Sequence, residues 1–237
     1  MSLYSGHVYG QHKHINQETL YWTRFDLRMN FSKGWGLRTE AEIRRYAFPD
    51  RSHQLLIPRM TLLRNLPYGL QVGLGFTYFI QSLPQNADDV ELNRPELRPH
   101  QELTMKQKWG NTVAVSHRYR LEERFKHKSI GYDLADGYDF NFRMRYRLQF
   151  GVALNNKKGA GKSTLKLSDE LMVNFGENIV RNTFDQNRIY VGLSTKLGAR
   201  SDMETGVLNW FQQKTNGDDF VSRYILRITY THFLLDK

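Results

Sequence analysis

The chain has 237 residues, no cysteine and a formal net charge of +10, from 34 Lys and Arg against 24 Asp and Glu. The length suits one large all-β domain and no linker interrupts it, so we expect a single domain over residues 1–237. The absence of cysteine excludes a disulfide framework and thiolate metal sites. The cations are spread along the chain at alternate positions instead of forming one patch, which argues against nucleic acid as a partner.

The first clearly patterned segment, Thr19–Phe31, alternates between two unlike faces. Phe25 and Leu27 lie on an apolar face, whereas Arg24 and Asp26 lie on a charged one. A period of two is typical of a β-strand that separates two different environments.

The same alternation recurs along the chain, with turns at regular intervals, and predicts about 12 strands, an even number as in bacterial outer-membrane barrels. We place them at Leu3–Gln11 (weak), Thr19–Phe31, Trp35–Tyr46, Gln54–Arg64, Gly69–Gln81, Pro99–Trp109, Thr112–Phe125, Asp139–Leu154, Thr164–Phe175, Asn187–Leu197, Met203–Gln213 and Val221–Leu234. Most exceed the roughly 5–6 residues of ordinary soluble strands and suffice to cross a bilayer at a tilt, which takes about 9–11 residues.

Short turns alternate with longer connections, as in a membrane barrel with short periplasmic turns and long extracellular loops. The longer connections are expected at Ala47–His53, Ser82–Arg98, Lys126–Tyr138 and Gly176–Gln186. The pattern predicts a closed antiparallel up-and-down transmembrane β-barrel.

Two barrels fit the alternation, one soluble with an apolar interior and one in a membrane with a polar cationic lumen. About 12 strands would enclose an apolar tube too wide for side chains to fill, which favours the membrane barrel. Lumen-lining, anion-contacting cations are then expected at Arg24, Arg28, Arg38, Arg44, Arg118, Arg120, Arg124, Arg143, Arg145, Arg147, Arg188 and Arg227, with Arg59, Lys106, Lys108, Lys166 and Arg223 on the same face. Lumen acids that could form ion pairs with them are Asp26, Glu40, Glu42, Glu122 and Glu170, with Glu102 and Glu204.

An open pore and a lumen closed by ion pairs are both compatible with these positions. In an open pore the narrowest point is expected at Arg118, Arg120, Arg143 and Arg145, which lie mid-strand on neighbouring strands. The surplus of cations predicts a positive interior potential and a preference for anions.

Four motifs occur in order: His117–Phe125 (HRYRLEERF), Arg143–Arg147 (RMRYR), Asp169–Leu171 (DEL) and Asp185–Arg188 (DQNR). In this order they resemble the uncharacterised bacterial family catalogued as domain of unknown function 2490, over about Thr19–Gln213. The resemblance implies an outer-membrane barrel and no particular activity. In architecture the chain is also similar to twelve-stranded, arginine-lined porins for acidic oligosaccharides, without a shared motif.

Motifs for nucleotide and metal binding are weak. Gly159–Thr164 looks like a phosphate loop but lacks its first glycine, at Asn156, and a strand follows instead of a helix, so no nucleotide is expected. His12 and His14 are better explained as a polar turn than as a metal pair. We expect no metal and no cofactor.

Two further groups of residues carry side chains that could form a site. His117 and His232 lie on the apolar face, where some lipid hydrolases of outer membranes hold a catalytic histidine, but Ser116 lies on the opposite face. The acids Asp88, Asp89, Glu91 and Glu96 match no calcium-loop spacing, so we expect a solvated acidic loop. No enzymatic activity is expected.

The segment Met1–Gly6 lacks the features of a signal peptide, and we expect a mature chain in which Met1 replaces a removed leader. We expect a protein of a Gram-negative outer membrane that contacts membrane lipid and lipopolysaccharide. It would act as a small passive, anion-preferring channel, with small anionic solutes as partners, or as a structural barrel. The alternatives are an outer-membrane enzyme acting on lipid or peptide at the loop end, and a soluble β-barrel that binds an apolar ligand.

Overall fold

A computed structural model describes residues 15–31, 34–84, 91–131, 133–155 and 159–234. Within these ranges, eleven strands close into one barrel, with a short 3-10 turn at Pro67–Gly69. The strands are β1 (Ile15–Asn30), β2 (Trp35–Ala47), β3 (Asp50–Asn65), β4 (Leu70–Pro84), β5 (Glu91–Trp109), β6 (Val113–Ile130), β7 (Asp133–Ala153), β8 (Ser163–Phe175), β9 (Phe184–Lys196), β10 (Ser201–Gln213) and β11 (Phe220–Leu234). No helix of the described residues is long and apolar enough to cross a membrane.

The barrel closes where β1 meets β11. Every strand pairs antiparallel with its neighbours in sequence, whereas β1 and β11 pair in parallel from Ile15 and Phe220 to Met29 and Leu234. The predicted closed barrel is confirmed, but the expectation that every pair is antiparallel is wrong at this seam. When the number of up-and-down strands is odd, the first and the last strand point in the same direction and must pair in parallel. The predicted first strand, Leu3–Gln11, lies outside the described residues.

Several connections predicted as long loops are instead continued hairpins. The strands β5, β6 and β7 contain 19, 18 and 21 residues, and pairing between β6 and β7 continues to Ile130 and Asp133. The same holds for β2 and β3, which pair up to Ala47 and Asp50. The apolar alternation disappears at the ends of these hairpins because both faces of the strands can contact water. Hydrogen bonds between the paired strands still satisfy the backbone N–H and C=O groups. The predicted segregation of loop lengths is therefore wrong, whereas Gly176–Thr183 remains a connection.

The barrel carries its apolar side chains outside and its charges inside. Leu74 and Val207, on the outer face, are 62% and 61% exposed, whereas Asp26 and Arg120 are each 1% exposed. Exposed Trp109 and other aromatic side chains lie at the end of the barrel where β3 connects to β4 and β5 to β6, which we call the short-turn end, as in the aromatic girdle of membrane barrels. The soluble barrel with an apolar interior is wrong, since the buried face is the charged one.

The interior also contains an apolar cluster that the sequence analysis did not anticipate. Its members come from β1, β2, β9, β10 and β11, so this side of the interior is packed with hydrocarbon and aromatic rings. They are Leu20, Trp22, Tyr46, Tyr190, Leu208, Trp210 and Ile225.

Candidate functional site

The predicted lumen residues occupy alternate positions that point into the barrel. Most are buried, and Arg28, with 45% of its side chain exposed, lies at the short-turn end and bonds the buried Asp26. The inward cations are Arg24, Arg28, Arg38, Arg44, Arg59, Arg118, Arg120, Arg124, Arg143, Arg145, Arg147, Arg188, Arg223 and Arg227, with Lys106, Lys108 and Lys166. The inward acids include Asp26, Glu40, Glu42, Glu102, Glu122, Glu170 and Glu204.

One chain of ion pairs joins β6, β7, β8 and β9. Glu122 accepts hydrogen bonds from Arg143 and, at 2.6 Å, from Arg145. Arg145 also donates to Glu170 at 2.8 Å, and Arg143 donates to Asp185 at 3.0 Å. Each acid bridges strands, so the network ties four neighbouring strands together from the inside.

A second chain of ion pairs lies on β1 and β2. Arg38 donates to Glu40 at 2.9 Å and to Asp26 at 3.2 Å. Arg24 bonds Glu42 and approaches Glu40 at 3.5 Å. These side chains are largely buried, so the barrel interior next to β1 and β2 is a packed polar core.

The expected acidic loop is only partly a loop. Glu96 is 3% exposed and lies inside the barrel on β5, where it accepts hydrogen bonds from Arg98 at 2.7 Å and Arg124 at 2.6 Å. Pro95 and Pro99 concealed this part of the strand from a pattern-based prediction. The alternation from Glu96 through Arg98 to Glu102 was the signal that could have revealed it.

The four arginines predicted as the narrowest point are neutralised by carboxylates. Arg120 donates to Glu102 at 2.6 Å and Arg118 to Glu170 at 2.6 Å, while Arg143 and Arg145 belong to the network described above. Unbalanced positive charge must therefore come from other residues.

A narrow cavity of about 50 Å³ lies between these networks. Its charged lining comprises nine arginines and two glutamates: Arg24, Arg38, Arg44, Arg59, Arg118, Arg145, Arg147, Arg188, Arg227, Glu40 and Glu170. We call it the arginine cavity. Among the described residues, neither Arg147 nor Arg188 has a carboxylate oxygen within 4.0 Å, so these two guanidiniums contribute uncompensated charge.

Aromatic faces hold several of these guanidiniums, and Arg44 and Arg227 bond a carboxylate as well. Arg188 lies 4.7 Å from the ring centroid of Trp210 and 5.2 Å from that of Trp22. Arg44 lies 4.0 Å from the Trp22 ring, and Arg227 lies 3.6 Å from the Tyr190 ring. A cation–π contact stabilises the charge while leaving the N–H edges available.

Two glycines make room for the ring that supports Arg227. A Cβ atom at Gly192 or Gly206 would overlap the Tyr190 hydroxyl. That hydroxyl donates to Glu204 at 2.9 Å, and Arg227 donates to the same carboxylate at 2.6 Å. Because Gly192 and Gly206 have no Cβ atom, the Tyr190 ring fits between β9 and β10. The ring in turn positions the Arg227 guanidinium.

The remaining predicted groups do not converge on a catalytic or metal site. His117 lies 2.9 Å from the Tyr146 hydroxyl on the outer face, and Ser116 lies on the inner one. His12, His14, Asp88 and Asp89 lie outside the described residues, within which no group of three His, Asp or Glu side chains could hold a metal. Ser163 begins β8 directly after the turn at Gly159–Lys162.

A closed barrel with an apolar outer face and a charged inner one defines a transmembrane β-barrel of the outer-membrane type. The chain belongs to the family described as protein of unknown function DUF2490, whose model matches residues 19–221. An uncharacterised protein of Methylorubrum extorquens is 33% identical over 118 residues, which are 49% of this chain and 47% of that protein. The chain thus matches about half the length of this relative.

Solved barrels from outer membranes are similar in structure. The NanC porin superimposes with a TM-score of 0.50 and 11% identity, over 86% of this chain and 91% of that chain. For outer-membrane expressed OmpT of Vibrio cholerae the TM-score is 0.41 and the identity 11%, over 79% of this chain and 55% of that chain. For the β domain of the Bordetella autotransporter BrkA the TM-score is 0.42 and the identity 10%, over 76% of this chain and 78% of that chain. At these identities the likeness concerns the fold alone, and only the first reaches a TM-score of 0.50.

Proposed function

We propose that this protein is a narrow passive channel in the outer membrane of a Gram-negative bacterium, with a preference for small anions. The observation that carries the proposal is the arginine cavity. Seven of its nine arginines bond carboxylates, whereas Arg147 and Arg188 have no carboxylate oxygen within 4.0 Å among the described residues. Fixed positive charge between low-dielectric walls raises the local concentration of anions and repels cations.

The packed interior limits what such a channel could pass. A cavity of about 50 Å³ has room for a few water molecules, since each needs about 10–15 Å³ of such space. The conductance should accordingly be small, and the solutes should be single ions. Larger solutes would require the ion-pair networks to rearrange.

A structural barrel is the second candidate, and the ion-pair networks favour it. Buried chains such as Arg143–Glu122–Arg145 close much of the interior and link neighbouring strands. A barrel that served only as a scaffold would show these networks and no conductance. In both cases the proposed partners are membrane lipid and lipopolysaccharide, and the proposed role is not enzymatic.

The folded protein is expected to require detergent or lipid and to migrate as a heat-modifiable band in electrophoresis. The reason is the outer face, where side chains such as Leu74 and Val207 are more than half exposed and would meet water in plain buffer. Electrophoresis of boiled and unboiled samples, with size measurement in buffer without detergent, checks this. A monodisperse monomer in plain buffer would contradict the membrane assignment.

Anion selectivity is the second expected result. In planar bilayers under a salt gradient, the reversal potential should indicate preference for chloride over potassium. The preference should weaken above about 0.1 M salt, where the Debye length falls below roughly 10 Å. Combining Arg147→Gln with Arg188→Gln should shift the reversal potential towards zero, because these two guanidiniums are not offset by carboxylates.

The control is Arg45→Gln, which removes one positive charge outside the arginine cavity, from an exposed pair with Asp50 at 2.7 Å. This variant should keep the wild-type reversal potential. Cation selectivity of the wild type, or equal selectivity of the double variant and the control, would refute the anion-preferring mechanism. Absence of conductance would favour the structural barrel.

A further inference from the structure

Three arginines and one glutamate form a single row across four strands of the barrel wall. Arg118 on β6 is directly opposite Arg147 on β7, Arg147 is opposite Glu170 on β8, and Glu170 is opposite Arg188 on β9. We call this set the arginine row. Like charges placed directly opposite one another destabilise a sheet, and the carboxylate of this row bonds Arg118 but neither Arg147 nor Arg188.

That carboxylate is already saturated on one oxygen. Glu170 Oε1 accepts from Arg118 Nη2 at 2.6 Å and from Arg145 Nε at 3.0 Å and Nη2 at 2.8 Å. The row therefore retains a surplus of positive charge that its own acid does not balance.

Four buried donors around the arginine cavity also lack acceptors within the described structure. The Nε atoms of Arg118, Arg147, Arg188 and Arg227 are buried and have no hydrogen-bond partner. All four side chains line the arginine cavity. A buried N–H of a charged group without an acceptor is costly, and an arginine can only donate. An acceptor would satisfy these donors, and the cationic lining favours one that carries negative charge.

From these observations we infer that the arginine cavity is a binding site for one small tetrahedral oxyanion, such as inorganic phosphate or sulfate, held by Arg118, Arg147, Arg188 and Arg227. The inference deepens the proposed function and rests on it for the route by which the ion enters. Converging guanidiniums suit such an oxyanion, because its oxygens accept charge-assisted hydrogen bonds from several directions.

The size of the cavity limits the ligand class. About 50 Å³ corresponds to roughly three to five oxygen-sized positions at about 10–15 Å³ each, which suits a tetrahedral oxyanion and not a sugar acid. Trp22 also lines the cavity, and its Nε1 is a further buried donor without a partner. Chloride also accepts from several directions, but a single spherical ion fills only part of this volume, whereas an oxyanion presents several separate acceptor oxygens.

Isothermal titration calorimetry on the detergent-folded protein tests the inference with sodium phosphate, sodium sulfate and glycerol 2-phosphate against a sodium chloride background of equal ionic strength. We expect saturable binding of phosphate and sulfate with one site per chain, and much weaker binding of glycerol 2-phosphate because of its size. No saturable binding of phosphate or sulfate to the wild type, or tight binding of glycerol 2-phosphate alone, would overturn the inference.

Variants identify the site. Arg188→Gln and Arg147→Gln should each weaken phosphate binding by about 10- to 100-fold, the equivalent of one charge-assisted hydrogen bond, while Arg45→Gln should bind like the wild type. Two variants are used because either could impair folding, which the heat-modifiable band reports. Equal phosphate affinity in all three folded variants would disprove the assignment.

The binding-site inference and the channel proposal can be refuted separately. Phosphate binding without any bilayer conductance would support the site and reject the channel. Anion-selective conductance without saturable phosphate or sulfate binding would support the channel and reject the site. If both hold, millimolar phosphate should reduce the chloride conductance of the wild type more than that of Arg188→Gln.

Discussion

Val207→Arg is expected to block assembly of the barrel in lipid. Val207 is the midpoint of β10, is 61% exposed, and lies between Val191 and Leu226 on the outer face. An arginine at the midplane of a transmembrane barrel costs about 2–4 kcal/mol, whereas the same change on a water-exposed surface is usually within about 0.5 kcal/mol. The folded fraction after refolding into vesicles across a urea series measures the effect.

Val207→Met is the matched control, because it keeps an apolar side chain at the same position. It should refold as the wild type does. If arginine and methionine at this position gave equal folded fractions, the outer face would not contact hydrocarbon.

Glu122→Gln is expected to lower the free energy of unfolding by about 3–5 kcal/mol, the usual cost of breaking a buried ion pair from one side. Glu122 is 3% exposed and accepts from Arg143 and Arg145. Among the described residues, its neutralisation leaves Arg143 with Asp185 and Arg145 with Glu170 as the remaining acidic partners. Urea unfolding in vesicles, followed by the heat-modifiable band, gives the free energy.

The control for this change is Asp50→Asn, which breaks an ion pair with Arg45 that is exposed and not buried. Exposed pairs contribute about 0–1 kcal/mol, so little loss is expected. Similar losses in the two variants would mean that the interior is hydrated enough to screen its charges, and that the ion pairs do not lock the barrel.

Together these two substitutions examine opposite sides of the same wall. The first asks whether the outer face lies in lipid, and the second asks whether the inner face is a dry polar core. Both proposed roles require an outer face in lipid. A dry inner face favours the structural barrel, whereas a hydrated one leaves a path for ions but screens the field of Arg147 and Arg188 and weakens any preference for anions.

The period-two pattern predicted the barrel and the inward direction of its charges. Arg24 and Asp26 alternate with Phe25 and Leu27. Because each face of a strand contacts one environment, the sequence shows which residues share the inner face. The prediction missed Glu96 and Arg98 inside β5 because Pro95 and Pro99 interrupt that strand, although both residues alternate in step with Glu102. It also could not reveal the continued hairpin between β6 and β7, since apolar alternation disappears where both faces are polar.

By itself, the sequence determined which residues point inward, because alternation is a local property of an extended chain. Which guanidiniums find a carboxylate was decided only by the tertiary structure. Register across neighbouring strands gives Arg120 the acid Glu102, places Arg118 opposite Arg147, and sets Arg188 against Trp210. Register depends on turns, bulges and closure at the β1–β11 seam, and a one-residue shift would change every pair. The location of the uncompensated charge is therefore a property of the closed barrel.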